Sequence, residues 1–229
     1  MIILLIASLA PVIFLMTYIY AKDQFQKEPF GQLMKAFLGG ILAGILDVLL
    51  LSALGISDLQ PFSGVRGQAF FQAFFLAGFP EELCKLIFLY LFIWKSQYFD
   101  EYYDGIEYAA FVGLGFAGLE NIMYVWRGGM DVAISRAMFA VPAHFFFAII
   151  MGYFFSLAKF RHEKKKLYLF LAFLCPAILH GIYDFILMYA NLIQNTDTII
   201  AALLNLGFFI FFIFIWKLAI KKLRQMAGK

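Results

Sequence analysis

Long apolar runs constrain the fold of this chain more than any other feature of its sequence. They lie at about 1–21, 33–56, 68–94, 106–126, 134–158, 167–191 and 198–219. Each run can cross a hydrocarbon core about 30 Å thick, because a spanning helix needs about 20 residues. The runs are continuous and lack the alternation of a membrane β-strand. We therefore expect an all-α fold, a polytopic membrane helix bundle of about seven transmembrane helices.

Composition supports a membrane location. Of the 229 residues, 64% are hydrophobic and only 14% are charged, which leaves too little polar surface to cover a soluble globule of this size. The spans leave no room for a separate soluble domain, so we expect one integral membrane domain, 1–229, with its motif-bearing core at 68–191. The partner that this composition implies is the lipid bilayer, and nucleic acid is not suggested.

The distribution of Lys and Arg predicts the orientation, because cytoplasmic loops carry an excess of positive charge. With the N-terminus outside, fourteen basic residues, including Lys229, fall in the inner loops and tail. Three fall outside, namely Arg66, Arg127 and Arg136, and Lys85 lies within a span. The tally predicts that the N-terminus is outside and the C-terminus inside.

Several ionisable residues lie inside the predicted spans, where a charge costs about 3 kcal/mol and calls for a partner, a wet cavity or a function. They are Asp47, Glu81, Glu82, Lys85, Glu120, His144, His180 and Asp184, with the amide Asn121 beside Glu120. Counting along each helix at 1.5 Å per residue places those of the third to sixth spans in overlapping layers between the midplane and the outer face. A shared polar cavity is the simplest interpretation.

Spacing within single helices adds detail. His180 and Asp184 are four residues apart, so the carboxylate can hold one ring nitrogen while the other faces the cavity. Lys85 is four residues from Glu81 and three from Glu82, so it can hold either glutamate. As alternatives to a functional role, the glutamates and Lys85 could form a structural ion pair, and His180 and Asp184 a structural hydrogen-bonded pair. We interpret Asp47 as structural and expect Asp104 and Glu107, at the inner end of the fourth span, to be solvated.

Four ordered motifs carry a family resemblance. They are Pro80-Glu81-Glu82-x-x-Lys85, then Asp104 to Tyr108 followed by Gly113 to Asn121 and Tyr124, then Arg136 to Gly152 with Pro142-x-His144, and His180-Gly181-x-Tyr183-Asp184. In this order they resemble the PrsW family of bacterial intramembrane proteases. That family is similar to the larger group of CAAX-prenyl endopeptidases and bacteriocin self-immunity proteins.

The resemblance implies a function. It implies a glutamate-dependent endopeptidase of the bacterial cell (inner) membrane that cuts a membrane-anchored protein, such as an anti-sigma factor, on the extracytoplasmic side. Carried over to this sequence, the glutamate pair of the family falls on Glu81 and Glu82, and its two histidines fall on His144 and His180.

The expected mechanism uses a glutamate of the pair, with His144, to activate a water. Glu82 is the first choice as the base, and His180, held by Asp184, stabilises the oxyanion or donates a proton. Supporting roles are expected for Lys85, Glu120, Asn121, Arg136 and Asp184. No cofactor is expected.

Two alternatives remain open at this point. The same residues could bind zinc through His144, His180 and Glu82, with one position left for water. A protein of another class, an ion or proton transporter or channel, could also use buried acids and histidines.

Overall fold

The computed structural model describes residues 1–23, 26–56, 59 and 61–226, and these residues form helices and no strands. The all-α prediction is confirmed. The helices are α1 (Ile2–Lys22), α2 (Phe30–Leu54), α3 (Gly64–Phe71), α4 (Phe79–Ile93), α5 (Tyr102–Ser135), α6 (Val141–Phe160), α7 (Lys165–Ile193) and α8 (Thr198–Met226). Two π-helical segments join α3 to α4 (Gln72–Gly78) and α5 to α6 (Arg136–Ala140), and a 3-10 turn (His162–Lys164) precedes α7.

Five helical stretches in the described part of the chain are long and apolar enough to cross a membrane. They are Ile2–Lys22, Phe30–Leu54, Tyr102–Phe160, His162–Ile193 and Thr198–Met226. The chain is thus a multi-pass membrane protein, but the count of seven spans is not confirmed. The third predicted run is divided into α3, a π segment and α4, and the fourth and fifth runs lie within one helical stretch. Lys229, used in the charge tally, lies outside the described residues.

A glycine interrupts the longest of these stretches. Within α5, Gly129 has φ 73° and ψ −158°, a backbone conformation that side-chain-bearing residues rarely adopt. A continuous helix over Tyr102–Phe160 would be about 90 Å long at 1.5 Å per residue, about three times the thickness of a hydrocarbon core. The break at Gly129 lets the chain turn between the buried part of α5 and α6.

Helices α5 and α6 form the centre of the bundle. Helices α1 and α2 pack on α5, while α7 and α8 pack on α6. The outward faces of α1 and α8 expose large apolar side chains such as Ile6, Phe14, Leu203 and Ile210. Such faces suit lipid contact, since hydrocarbon solvates them as well as a protein interior does.

The beginning of α5 is buried, so the expectation that Asp104 and Glu107 are solvated is wrong. Their exposed fractions are 2% and 0%. The last turns of α1 and Glu28 contact this end of the helix: the Tyr103 hydroxyl donates to the Ile19 carbonyl at 2.9 Å, and the Tyr108 hydroxyl donates to the Glu28 carboxylate.

Close packing of α2 on α5 depends on Gly40. A Cβ atom at this position would overlap the carbonyl oxygen of Val112 and would lie 2.8 Å from the backbone nitrogen of Phe116. Both neighbours are helical backbone and cannot rotate away. Small residues at such crossings let two membrane helices approach until their backbones touch.

We expect Gly40→Ala to destabilise the folded protein by about 1–3 kcal/mol, because the methyl group forces α2 away from α5. Unfolding in detergent, followed by circular dichroism during denaturant titration, measures the change. Gly31→Ala is the matched control on the same helix, since no atom lies within 4 Å of the added Cβ. Equal stabilities of the two variants would contradict the close-packing argument.

Candidate active site

The glutamate pair lies in the first turn of α4. Glu81 and Glu82 directly follow Pro80, and the π-helical segment Gln72–Gly78 ends two residues before that proline. Proline has no backbone N–H and clashes with the preceding turn of a regular α-helix. The chain meets this constraint by widening the preceding turns into a π-helix, a feature that is common at functional sites.

The same arrangement precedes the first site histidine. The π-helical segment Arg136–Ala140 ends two residues before Pro142, and His144 follows in the first turn of α6. Both π segments therefore precede a proline and a residue of the predicted site.

Helix α7 supplies the second histidine, and a contact between two glycines brings it close. A Cβ on Gly78 would lie 2.9 Å from the backbone nitrogen of Gly181. Because side chains are absent on both sides, α7 lies directly against the end of the π segment. His180, the residue before Gly181, thereby reaches the glutamate pair at the start of α4.

The Lys85 ammonium group lies at the centre of the site. Its Nζ donates to Glu82 Oε1 at 2.7 Å, to Glu81 Oε2 at 3.4 Å and to His144 Nδ1 at 3.0 Å. A lysine ammonium only donates, so Nδ1 of His144 accepts and its Nε2 carries the proton. That Nε2–H donates to Glu120 Oε2 at 2.9 Å.

His180 lies between two carboxylates. Its Nδ1 is 3.0 Å from Glu82 Oε1, and its Nε2 is 3.3 Å from Asp184 Oδ2. The predicted pairing with Asp184 is confirmed. Because both ring nitrogens face carboxylate oxygens, the hydrogen bonds fit a doubly protonated ring, which is a cation. Phe147 stacks on this ring with 4.9 Å between the centroids and fixes its plane.

Glu120, Asn121 and Arg136, for which supporting roles are expected, lie next to this group and contact one another. Arg136 donates from Nη2 to Glu120 Oε2 at 2.8 Å and from Nε to Asn121 Oδ1 at 2.9 Å. Asn121 Nδ2 in turn donates to the carbonyl of Ser8 in α1, at 2.7 Å. The network links α1 and α5 to His144, whose partner Glu120 is shared with Arg136.

The side chains at the centre of the site are buried. Glu82 is 0% exposed and Lys85 1% exposed, so their charges lose hydration and depend on one another. The second oxygen of Glu82, Oε2, has no hydrogen-bond partner among the described residues. An unsatisfied buried carboxylate oxygen is costly, and it marks a place where a water, a substrate group or a cation could bind.

A cavity of about 180 Å³ reaches this centre. Its polar lining comes from Asp47, Glu81, Glu120 and Tyr124. Asp47 is 6% exposed and its Oδ1 has no hydrogen-bond partner among the described residues. The sequence interpretation treated Asp47 as structural and left it out of the site. The signal for including it in the site is that an acid inside a membrane span is costly and usually functional.

The four predicted catalytic side chains also form a possible ligand set for a metal ion. One ligand atom each from Glu81, Glu82, His144 and His180 lies within 4.8 Å of the others. Two imidazoles with carboxylates are donors that zinc accepts. The residues therefore fit such an ion, although the Lys85 ammonium lies among the same atoms.

The fold and the site define a multi-pass membrane protein that holds acids, bases and cations together inside its helix bundle. A family model described as "PrsW family intramembrane metalloprotease" matches residues 28–217. The chain belongs to the PrsW protease family, which confirms the resemblance seen in its motifs.

Curated relatives cover almost the whole chain. Protease PrsW of Geobacillus kaustophilus is 35% identical over 227 residues, covering 98% of this chain and 92% of the relative. Protease PrsW of Bacillus subtilis is 35% identical over 222 residues, covering 96% and 93%. The Clostridioides difficile protein of the same name is 35% identical over 228 residues, covering 97% and 90%. No solved structure matches the chain.

We expect His180→Ala to lower the rate of substrate cleavage by about 100-fold or more, because a positioned acid or base contributes at least that much. Asp184→Ala should lower it less, and the double variant should be no slower than His180→Ala, since Asp184 acts only through the ring. Single-turnover cleavage measures all three. Asp131→Ala, an exposed acid, is the control. A double variant showing the product of two independent losses would refute the coupling.

Proposed function

We propose that this protein is an intramembrane endopeptidase that hydrolyses a peptide bond of a membrane-anchored protein with a water activated by the glutamate pair. The observation that carries the proposal is the meeting of Glu81, Glu82, His144 and His180, from three helices, around Lys85 and beside a cavity. Membership of a protease family supports the hydrolytic reaction.

The chemistry follows from the groups present. A glutamate takes a proton from water as the water oxygen bonds to the peptide carbonyl carbon, and negative charge develops on the carbonyl oxygen. His180, held as a cation between Glu82 and Asp184, stabilises that charge electrostatically. The glutamate then returns the proton to the amide nitrogen as the carbon–nitrogen bond breaks. Lys85 and Arg136 hold the remaining carboxylates in place.

The two glutamates have different surroundings, which supports different roles. Glu81 lines the cavity, where a water and a substrate carbonyl can reach it. Glu82 is fully buried and accepts hydrogen bonds from both Lys85 and His180 through one oxygen. We assign the base to Glu81 and the positioning of Lys85 and His180 to Glu82. The first choice from the sequence, Glu82 as the base, stays a prediction.

A second candidate mechanism is zinc-dependent hydrolysis, favoured by the ligand set and by the family description as a metalloprotease. Glu82, His144 and His180, with Glu81 beside them, would hold the ion. When bound, zinc supplies a Lewis acid that lowers the pKa of a bound water. The position of the Lys85 ammonium among these donors supports the metal-free mechanism as the first candidate, because it balances their charge itself.

Glu81→Gln and Glu82→Gln are each expected to lower cleavage of a single-span substrate protein by about 100-fold or more. The amide keeps the shape of the side chain, but at position 81 it cannot accept the proton of a water, and at position 82 it lacks the negative charge that holds Lys85 and His180. Purified protein in proteoliposomes and gel analysis of the products measure the rates, and size-exclusion profiles check folding. Glu163→Gln, in the exposed turn before α7, is the matched control.

Dialysis against a strong chelator separates the two mechanisms in the same assay. Unchanged activity supports the metal-free mechanism, and activity lost on chelation and restored by zinc supports the second candidate. Wild-type rates in both glutamine variants would refute a role for the glutamates in both the metal-free and the zinc-dependent mechanism.

We also propose seven spans, with the N-terminus outside, in the inner membrane of a bacterium. Two basic residues assigned to the inner loops support this arrangement, because both contact Trp94 and therefore lie at the same end of the bundle. Lys159 donates to the carbonyl of Trp94 at 2.8 Å, and the Lys165 ammonium lies 4.4 Å from the Trp94 ring centroid. The curated relatives are bacterial proteins.

The substrate is proposed to be a protein with a single membrane anchor, of the anti-sigma-factor kind, cut in the outer third of its span or just outside it. In the proposed orientation, residue counting places Glu120, His144, His180 and Asp184 in the outer half of the membrane and the glutamate pair near the midplane. A substrate helix needs to unwind only near that interface, where unpaired amide groups are less costly than in the hydrocarbon centre.

In a variant with Cys84 and Cys175 replaced by Ala, Ser63→Cys should react with an impermeant thiol reagent from outside intact cells. Glu163→Cys should react only after lysis, because the proposed topology places it inside. Mass spectrometry of cleavage products should map the cut to the outer part of the substrate span. Labelling of Glu163→Cys from outside, or a cut at the cytoplasmic end, would overturn this topology.

A further inference from the structure

A second group of carboxylates lies at the other end of α5. One ligand oxygen each from Glu28, Asp100 and Asp104 lies within 4.8 Å of the others. Glu28 belongs to the connection between α1 and α2, and Asp100 precedes α5. Asp104 and Glu120 are sixteen residues apart on one helix, about 24 Å, so this group is separate from the glutamate–histidine site.

Glu107 provides an independent indication of a ligand. It is 0% exposed, and neither of its carboxylate oxygens has a hydrogen-bond partner among the described residues. It lies close enough to Glu28 and Asp104 for its charge to repel theirs. A buried carboxylate without a donor is costly unless a proton or a cation compensates its charge.

Lys27 is near these carboxylates but does not form a hydrogen bond with them. Lys27 donates to the backbone carbonyls of Tyr20 and Asp23, the second at 2.7 Å. Among the described residues, no lysine or arginine side chain forms a salt bridge with Glu28, Asp100, Asp104 or Glu107.

We propose that Glu28, Asp100 and Asp104, with Glu107 nearby, bind a hard divalent cation, Ca²⁺ or Mg²⁺. All donors are carboxylate oxygens, which these ions prefer, and no histidine or cysteine is among them to favour zinc. Asp104 uses Oδ2 to accept the backbone N–H groups of Asp100 and Glu101, at 3.0 Å and 2.6 Å, which holds its carboxylate in place. Asp100 is exposed and gives the ion a path from water.

The ion would join the α1–α2 connection to the beginning of α5. The protein already makes two contacts across this boundary, from Tyr103 to the Ile19 carbonyl and from Tyr108 to Glu28. A cation here would hold α1 and α2 against the central helix and stabilise the bundle without touching the catalytic groups.

Full-length protein in detergent, freed of metal and titrated with Ca²⁺ and separately with Mg²⁺, tests the proposal. At least one ion should raise Tm in a saturable way, because an ion that binds the folded protein stabilises it. Asp100→Asn should weaken the affinity roughly tenfold or more, as expected for losing one charged oxygen from the shell. Asp100 is exposed, so this variant folds even if Glu28→Gln does not. Glu163→Gln is the control with an acid removed elsewhere.

Terbium luminescence gives a second measurement, since Tb³⁺ replaces Ca²⁺ and the tyrosines beside the site can sensitise it. The signal should persist in Glu81→Gln and fall in Asp100→Asn, which separates this site from the proposed active site. If neither ion shifts the Tm of the unmodified protein, or if Asp100→Asn binds with unchanged affinity, the proposal is wrong.

Discussion

The buried ammonium group of Lys85 is the interaction on which the proposed site depends. An ammonium 1% exposed inside a membrane bundle can stay charged only with acceptors on every side. Its own helix supplies Glu81 and Glu82, one turn earlier, and α6 supplies His144. The second histidine then pairs with Glu82, so five groups from three helices share one set of charges. Glu82 is the acid that contacts both Lys85 and His180, so its removal weakens both of these pairs.

The part of this network that lies on single helices could be predicted from the sequence. Helical geometry fixes the neighbours of a residue three or four positions away, which is why the pairing of His180 with Asp184 was foreseen. The overlap of Glu120, His144 and His180 in depth is also predictable, because depth along a helix follows from counting residues.

Contacts between helices could not be predicted in the same way, since they depend on how each helix is rotated and tilted. The hydrogen bond from Lys85 to His144 joins residues 59 apart in the chain. Rotation of α2 decides that Asp47 faces the cavity, and folding of the α1–α2 connection over α5 decides that Glu107 is buried. The seven-span count also relied on uniform helices, whereas the π segment divides the third run.

The two π-helical segments have a consequence for how the chain tolerates insertions and deletions. A π turn closes its hydrogen bond over five residues instead of four, so each segment contains residues in excess of a regular helix. Deleting one such residue would rotate everything after it by about 100° relative to everything before it. Glu81 would then turn away from α7, or His144 away from Lys85, while hydrophobicity and length stayed almost the same. The spacing inside Gln72–Gly78 and Arg136–Ala140 therefore sets the alignment of the site as strictly as the identity of its side chains.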